Sequence, residues 1–185
     1  LASTPAALQQ LADILSGKLV LAGLNVSQDV RWDIVIRLNR YAYPGAPALL
    51  AAEQARDPSD AGQAAAIAAT VIQPDAAVKT AWLASISDPD SKLPFSKLRK
   101  AMENLYPAEQ GALSALTAEQ RLAQLPQVDQ RSGPVFMRTY ANTLLPSACS
   151  VASVARPNCV QSRQSATRQA SAQVPSPMAR QAAGP

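Results

Sequence analysis

Apolar residues recur with helical period along much of the chain. Phe95, Leu98, Ala101, Met102 and Leu105 fall at i, i+3, i+6, i+7 and i+10, with Lys97, Lys100 and Glu103 on the outward side. Met137, Tyr140, Ala141, Leu144 and Leu145 repeat this spacing after Pro134. Val78, Ala81, Trp82, Ser85 and Ile86 do so after Pro74-Asp75. Each set predicts an amphipathic helix turned towards a core. From Asp29 to Tyr43 the apolar positions are denser: Val30, Trp32, Ile34, Val35, Ile36, Leu38 and Tyr41 run beside a narrow polar stripe of Asp33, Arg37 and Arg40 at i, i+4 and i+7. A helix with so dense an apolar set is expected at the centre of its domain, and the stripe can carry an Asp33–Arg37 pair one turn apart.

Proline marks the joints. Pro44, Pro47, Pro58, Pro74, Pro89, Pro94, Pro107, Pro126, Pro134 and Pro146 cut the sequence into pieces mostly of helical length. Proline is accepted in the first turn of a helix and not inside one, so each is a boundary. Lys18–Val26, KLVLAGLNV, departs from the helical pattern and reads as an extended connector or a single strand. Consecutive helices with short links predict an all-α fold over residues 1–156: antiparallel helix pairs stacked in a HEAT/armadillo-like α-solenoid or in an irregular right-angled array. No tetratricopeptide, ankyrin or leucine-rich consensus is present. Residues 157–185 hold no acid and no apolar stripe, and read as a low-complexity, basic, disordered C-terminal tail.

Composition narrows the chemistry. The 185 residues include 15 Pro, 4% aromatics and no His. Without imidazole, Ser-His-Asp and Cys-His nucleophile systems and His-based zinc sites are excluded from this chain. Lys and Arg number 17 against 13 acids, but the whole excess of +4 comes from Arg156, Arg163, Arg168 and Arg180. Residues before them are neutral overall, which argues against a nucleic-acid-binding face. Cys149 and Cys159 are too few for a disulfide framework or a four-ligand metal site. No apolar run is long enough to span a membrane and no signal peptide is visible, so a soluble chain of open compartment is expected, and the start at Leu1 suggests a fragment or a processed product.

No phosphate-binding glycine loop and no SxxK dyad occurs. Asp88-Pro89-Asp90-Ser91-Lys92 opens like a calcium loop but lacks its central Gly and its closing Glu, where Arg99 stands, so it reads as a solvated turn. Asp57 and Asp60 bracket Pro58, and Asp60 or Ser59 is expected to cap the Ala-rich helix that follows. Asn25-Val26-Ser27 is a glycosylation triplet by pattern alone. No catalytic, cofactor-binding or metal-ligating residue is assigned.

The segments Leu21–Leu38 (LAGLNVSQDVRWDIVIRL), Ala55–Ala69 (ARDPSDAGQAAAIAA), Pro74–Asp88 (PDAAVKTAWLASISD), Lys97–Gln110 (KLRKAMENLYPAEQ) and Arg138–Arg156 (RTYANTLLPSACSVASVAR) follow one another in a familiar order. Over about residues 8–156 the chain resembles the C-terminal helical domain of zinc aminopeptidases of the aminopeptidase N and endoplasmic-reticulum aminopeptidase type. The resemblance lies in packing and turn positions. It implies a curved helical array that closes over a separate catalytic domain, shapes the chamber in which N-terminal residues are removed from peptides, and limits what enters. The zinc it implies is a cofactor of that catalytic domain, with none in this chain. The implied partners are the catalytic domain and, indirectly, the peptide, with no nucleic acid and no membrane. Ala101-Met102-Glu103-Asn104 spells four fifths of the GAMEN motif that binds the substrate amine in those enzymes; Lys100 replaces its Gly, and a helical stripe runs through it, so it reads as coincidence.

After Arg156 the family pattern would continue with an acidic, amphipathic helical segment. Here acid and stripe vanish together, and a change of reading frame is the expected cause of residues 157–185, which the flanking coding DNA would test. Two functions follow. The first is a non-catalytic lid or regulatory domain of a zinc aminopeptidase. The alternative is a free-standing α-solenoid interaction module, with the stripe Lys97, Arg99 and Lys100 as part of its surface. An enzyme in its own right would need carboxylate or Lys chemistry that the sequence does not display.

Overall fold

Four helices start where a polar side chain accepts a first-turn amide, and others carry proline in or just before the first turn, where its missing N–H costs nothing. A computed structural model describes residues 3–131 and 133–145. Among the described residues there are ten α-helices, a 3₁₀ turn and no strand. They fall into two units: residues 3–86 with 91–117, and residues 87–90 with 118–145.

In the first unit, α1 (Pro5–Leu15) begins with proline and with Thr4 Oγ1 accepting the Ala7 amide at 3.3 Å. α2 (Gln28–Arg40) is capped by Ser27, whose Oγ accepts from Val30 at 3.4 Å. α3 (Ala46–Arg56) has Pro47 in its first turn. α4 (Asp60–Val71) is capped by Ser59, which settles the expectation between Ser59 and Asp60: its Oγ accepts the Gly62 amide at 3.0 Å. Asp75 Oδ1 accepts from Ala77 at 2.7 Å at the head of α5 (Ala76–Ser87). α6 (Phe95–Asn104), the 3₁₀ turn (Ala108–Gln110) and α7 (Gly111–Leu116) follow Pro94 and Pro107. The second unit holds α8 (Ala118–Ala123), α9 (Leu125–Arg131) and α10 (Pro134–Leu144).

The core of the first unit is built on α2, as its apolar density predicts. Trp32, Ile34, Val35 and Leu38 pack with Leu8, Ala12 and Leu15 of α1, Ala46 and Leu50 of α3, and Ala66 and Ala69 of α4. α2 touches all three of those helices, and α4 in turn meets α6. Leu98, Ala101, Met102 and Leu105 are buried, and so are Met137, Tyr140, Ala141, Leu144 and Leu145 in and just after α10, both as the periodicity predicts. Ala101-Met102-Glu103-Asn104 lies on α6 with Met102 buried, a helical setting rather than an extended edge.

One expectation is settled and two need correction. Lys18–Val26 is the expected connector and not a strand, since among the described residues no second strand pairs with it. It is an irregular connector with glycines in the left-handed region at Gly17 (φ 78°) and Gly23 (φ 82°), and a turn in which Leu24 donates to the Leu21 carbonyl. Of the expected inward set of α5, Val78, Ala81, Trp82, Ser85 and Ile86, only Ile86 is fully buried. Lys79, Leu83, Ile86 and Ser87 are buried, Val78, Trp82 and Ser85 are partly so, and Ala81 is exposed. A face carrying Lys79 reads as the polar side, which turned the expected stripe by one residue, about 100°. Asp33 and Arg37 do not pair; Arg37 instead sits over the Tyr41 ring, 5.6 Å from its centroid. The expected tail from residue 157, both cysteines and the end of the Arg138–Arg156 segment lie outside the described residues.

Candidate functional site

Small residues on one face of α4 leave a hollow in the first unit. Gly62, Gln63, Ala66, Ile67 and Thr70 share that face, and the lack of bulk at Gly62 and Ala66 gives depth. Larger side chains wall the hollow: Trp82 from α5, Leu93 from the connector before α6, and Lys97 from α6. The end of α3 adds Gln54 and Asp57. The resulting cleft is open to solvent on one side and has a volume of about 370 Å³.

Its charged groups are fixed differently. Lys97 Nζ donates to Gln63 Oε1 at 2.6 Å and pairs with Asp60 Oδ1 at 3.1 Å, so its charge is already answered at the rim. Asp57 is held by neutral donors: the Trp32 indole N–H reaches Oδ2 at 2.8 Å and the Ser59 amide reaches Oδ1 at 3.2 Å. Among the described residues no Lys or Arg is ion-paired to it. Hydrogen bonding from Ser59 and then from Trp32 keeps the Asp57 carboxyl below its ordinary range, so it is anionic at neutral pH. The approach of Asp57 to α4 depends on Gly62, where an added Cβ would stand 2.3 Å from the Asp57 carbonyl oxygen and 2.6 Å from its carboxylate.

Elsewhere in this unit the charged side chains tie helix to helix. Arg31 clasps Glu53 with contacts of 2.6 to 3.0 Å and sends Nη1 to the Leu15 carbonyl, while Gln28 adds a 2.8 Å bond to Glu53. Arg40 holds Glu109 through both carboxylate oxygens. Arg99 bonds Glu103 one turn on. Of the stripe Lys97, Arg99 and Lys100, two members are therefore engaged within the chain.

No site residue is legible in the sequence alone, and the cleft residues with a readable place in it have a different one. Trp82 was expected in the core and Lys97 outward; both line the cleft. Asp57 and Asp60, noted as a pair around Pro58, take separate roles. The signal that could have found the cleft is the run of Gly and Ala on one face of α4 opposite a Trp. Among the described residues no three His, Cys, Asp or Glu side chains gather as a metal-ligand set, and acids paired to Arg, Lys or an indole do not fit zinc. Also among them, no helix is long and apolar enough to cross a membrane. No protein-family model matches this chain, and no curated protein matches it.

Proposed function

We propose that this chain is a non-catalytic lid or regulatory domain of a zinc metallo-aminopeptidase, shaping the chamber in which N-terminal residues are cleaved from peptides. The observation that carries the reading is the placement of Leu21–Leu38, the first segment of the family-like pattern. Its second half is the central helix α2, and its first half leaves Val20, Leu21 and Leu24, the latter two within it, exposed by 82%, 46% and 44%. An apolar loop left in solvent, anchored to a rigid central helix, is the surface that an adjoining catalytic part would cover. Ala55–Ala69, Pro74–Asp88 and Lys97–Gln110 become α4, α5 and α6, so the pattern maps onto packing. In this reading the helices continue as antiparallel pairs in a curved array, and specificity comes from shape and gating.

The competing reading, a free-standing α-solenoid module, loses Lys97 from its surface, which is tied to Gln63 and Asp60, while Arg99 stays exposed beside Glu103. Mixing the chain with a catalytic part of such an aminopeptidase decides between them. A lid restores or alters peptide cleavage, and Val20→Ser with Leu21→Ser and Leu24→Ser weakens that effect while leaving the helical circular-dichroism signal intact. Indifference of the catalytic part to the wild-type chain would reject the lid.

A further inference from the structure

We infer that the cleft beside α4 binds an organic ammonium ion, a ligand with a small apolar body and one cationic head, and that Asp57 receives the head. The inference is independent of the lid reading. Ala66, Ile67, Trp82 and Leu93 supply an apolar wall for the body, within a volume of about 370 Å³. That is the size at which a cleft encloses a small molecule, roughly 300–1,000 Å³.

The charge pattern chooses the head. Asp60 and Lys97 cancel one another at 3.1 Å, which leaves Asp57 as the unbalanced charge of the cleft. Asp57 accepts from the Trp32 indole and from Ser59 through both its hydroxyl and its amide, and a carboxylate has room for about four bonds. An ammonium N–H can use what remains. A carboxylate ligand would instead have to displace Asp60 and Gln63 from Lys97 while meeting the Asp57 charge. Gln54 and Gln63 line the same cleft.

The test uses the full 185-residue chain and three probes of one shape: phenethylammonium, 2-phenylethanol and 3-phenylpropionate. Trp32 and Trp82 give the chain's two indole N–H signals in nitrogen–proton NMR, assigned with Trp82→Phe. Phenethylammonium is expected to move both saturably, Trp82 as part of the wall and Trp32 through its bond to Asp57. Its affinity should exceed that of the alcohol by about fivefold, with the propionate weakest, as a partly exposed charge pair allows. Asp57→Asn should bring the ammonium and the alcohol to within about twofold, and Lys97→Met should tighten the ammonium by about threefold. If Asp57→Asn does not fold, the probe series and Lys97→Met still decide. No binding, equal binding of ammonium and alcohol, tighter binding of the propionate, or no gain in Lys97→Met would each overturn the inference.

Discussion

Lys79 Nζ donates a 2.6 Å hydrogen bond to the carbonyl oxygen of Val71, the last residue of α4. The lysine is fully buried, its nitrogen 5.8 Å from the centre of the Tyr106 ring. The last carbonyls of a helix lack intrahelical partners and carry partial negative charge, so a cation there answers both needs. Beside it Gln110 donates to the next carbonyl, that of Ile72, at 2.8 Å. The device recurs at other helix ends: Arg31 reaches Leu15, the last residue of α1, and within the second unit Arg121 reaches Leu144, the last residue of α10. Lys79 faces inward because a helix end waits for it there.

This placement makes stability depend on alkaline pH. Burial lowers the Lys79 pKa from 10.5 to about 8, with Asp75 and Glu109 opposing the shift. Between those values the unfolded chain binds a proton that the folded chain does not, so folding gains stability as pH rises through the interval. Below about pH 8 both states are protonated, and the cost of burying the charge is constant. The difference in urea midpoint between wild type and Lys79→Met should therefore shift in favour of the wild type from about pH 7 to about pH 9.5. A constant difference would mean that Lys79 is not buried as charge.

Ala42 closes α2 in the left-handed region, at φ 51°. Ala42 donates to Asn39 at 3.2 Å and Tyr43 to Leu38 at 2.9 Å, the paired bonds of a Schellman ending in which glycine is the usual residue. Alanine is strained there by roughly 1–2 kcal/mol, partly offset by its smaller freedom in the unfolded chain. Ala42→Gly should stabilise the protein by about 0.5–1 kcal/mol in urea unfolding. Destabilisation would show that the alanine methyl makes a contact worth more than the strain.

Gly62 is required by closeness rather than by its backbone angle. A methyl there would meet a backbone carbonyl oxygen at 2.3 Å, so the α3–α4 turn has to shift. Gly62→Ala is expected to cost about 2–3 kcal/mol, although alanine is the better helix former. The indole N–H signal of Trp32, bonded to Asp57, should move as the turn opens. Neutral or improved stability would show that the turn yields freely.

What could be read from the sequence was set by local regularity. The faces of α6 and α10 follow from spacing alone because every inward position is apolar, and α2 shows its inward set, Trp32, Ile34, Val35 and Leu38, as a dense apolar run between its polar residues. Ser59 was readable as a cap because capping is a matter of neighbouring residues. The inward face of α5 was not, since Lys79 looks solvent-facing until the end of α4 is brought to it. The clasp of Arg31 on Glu53 spans 22 residues and has no local signature, whereas the expected Asp33–Arg37 pair had one and did not form. The cleft was hidden for a related reason: it consists of what Gly62 and Ala66 leave empty, which becomes a feature only once Trp82, Leu93 and Lys97 arrive around it.

The same long-range clasp gives the sharpest test of packing. The Glu53 side chain is 2% exposed and that of Arg31 16%. Burial acts to raise the Glu53 carboxyl, but the bonds from Arg31 and Gln28 outweigh it, and the group sits below its ordinary 4.5. A carboxyl lowered on folding contributes stability above its unfolded value, and that contribution is lost as pH falls through the folded value. Glu53→Gln keeps the shape but removes the charge that answers Arg31, and should cost about 3 kcal/mol near neutral pH. The cost should shrink in acid, where the wild-type carboxyl is itself protonated. Arg31→Met alone should also destabilise, since it strands the carboxylate. Combining Arg31→Met with Glu53→Leu should lose less than the sum of Arg31→Met alone and Glu53→Leu alone, because an apolar pair leaves no buried charge unanswered. Additive losses in urea unfolding would mean that the two residues act separately, Arg31 through the Leu15 carbonyl and Glu53 through Gln28.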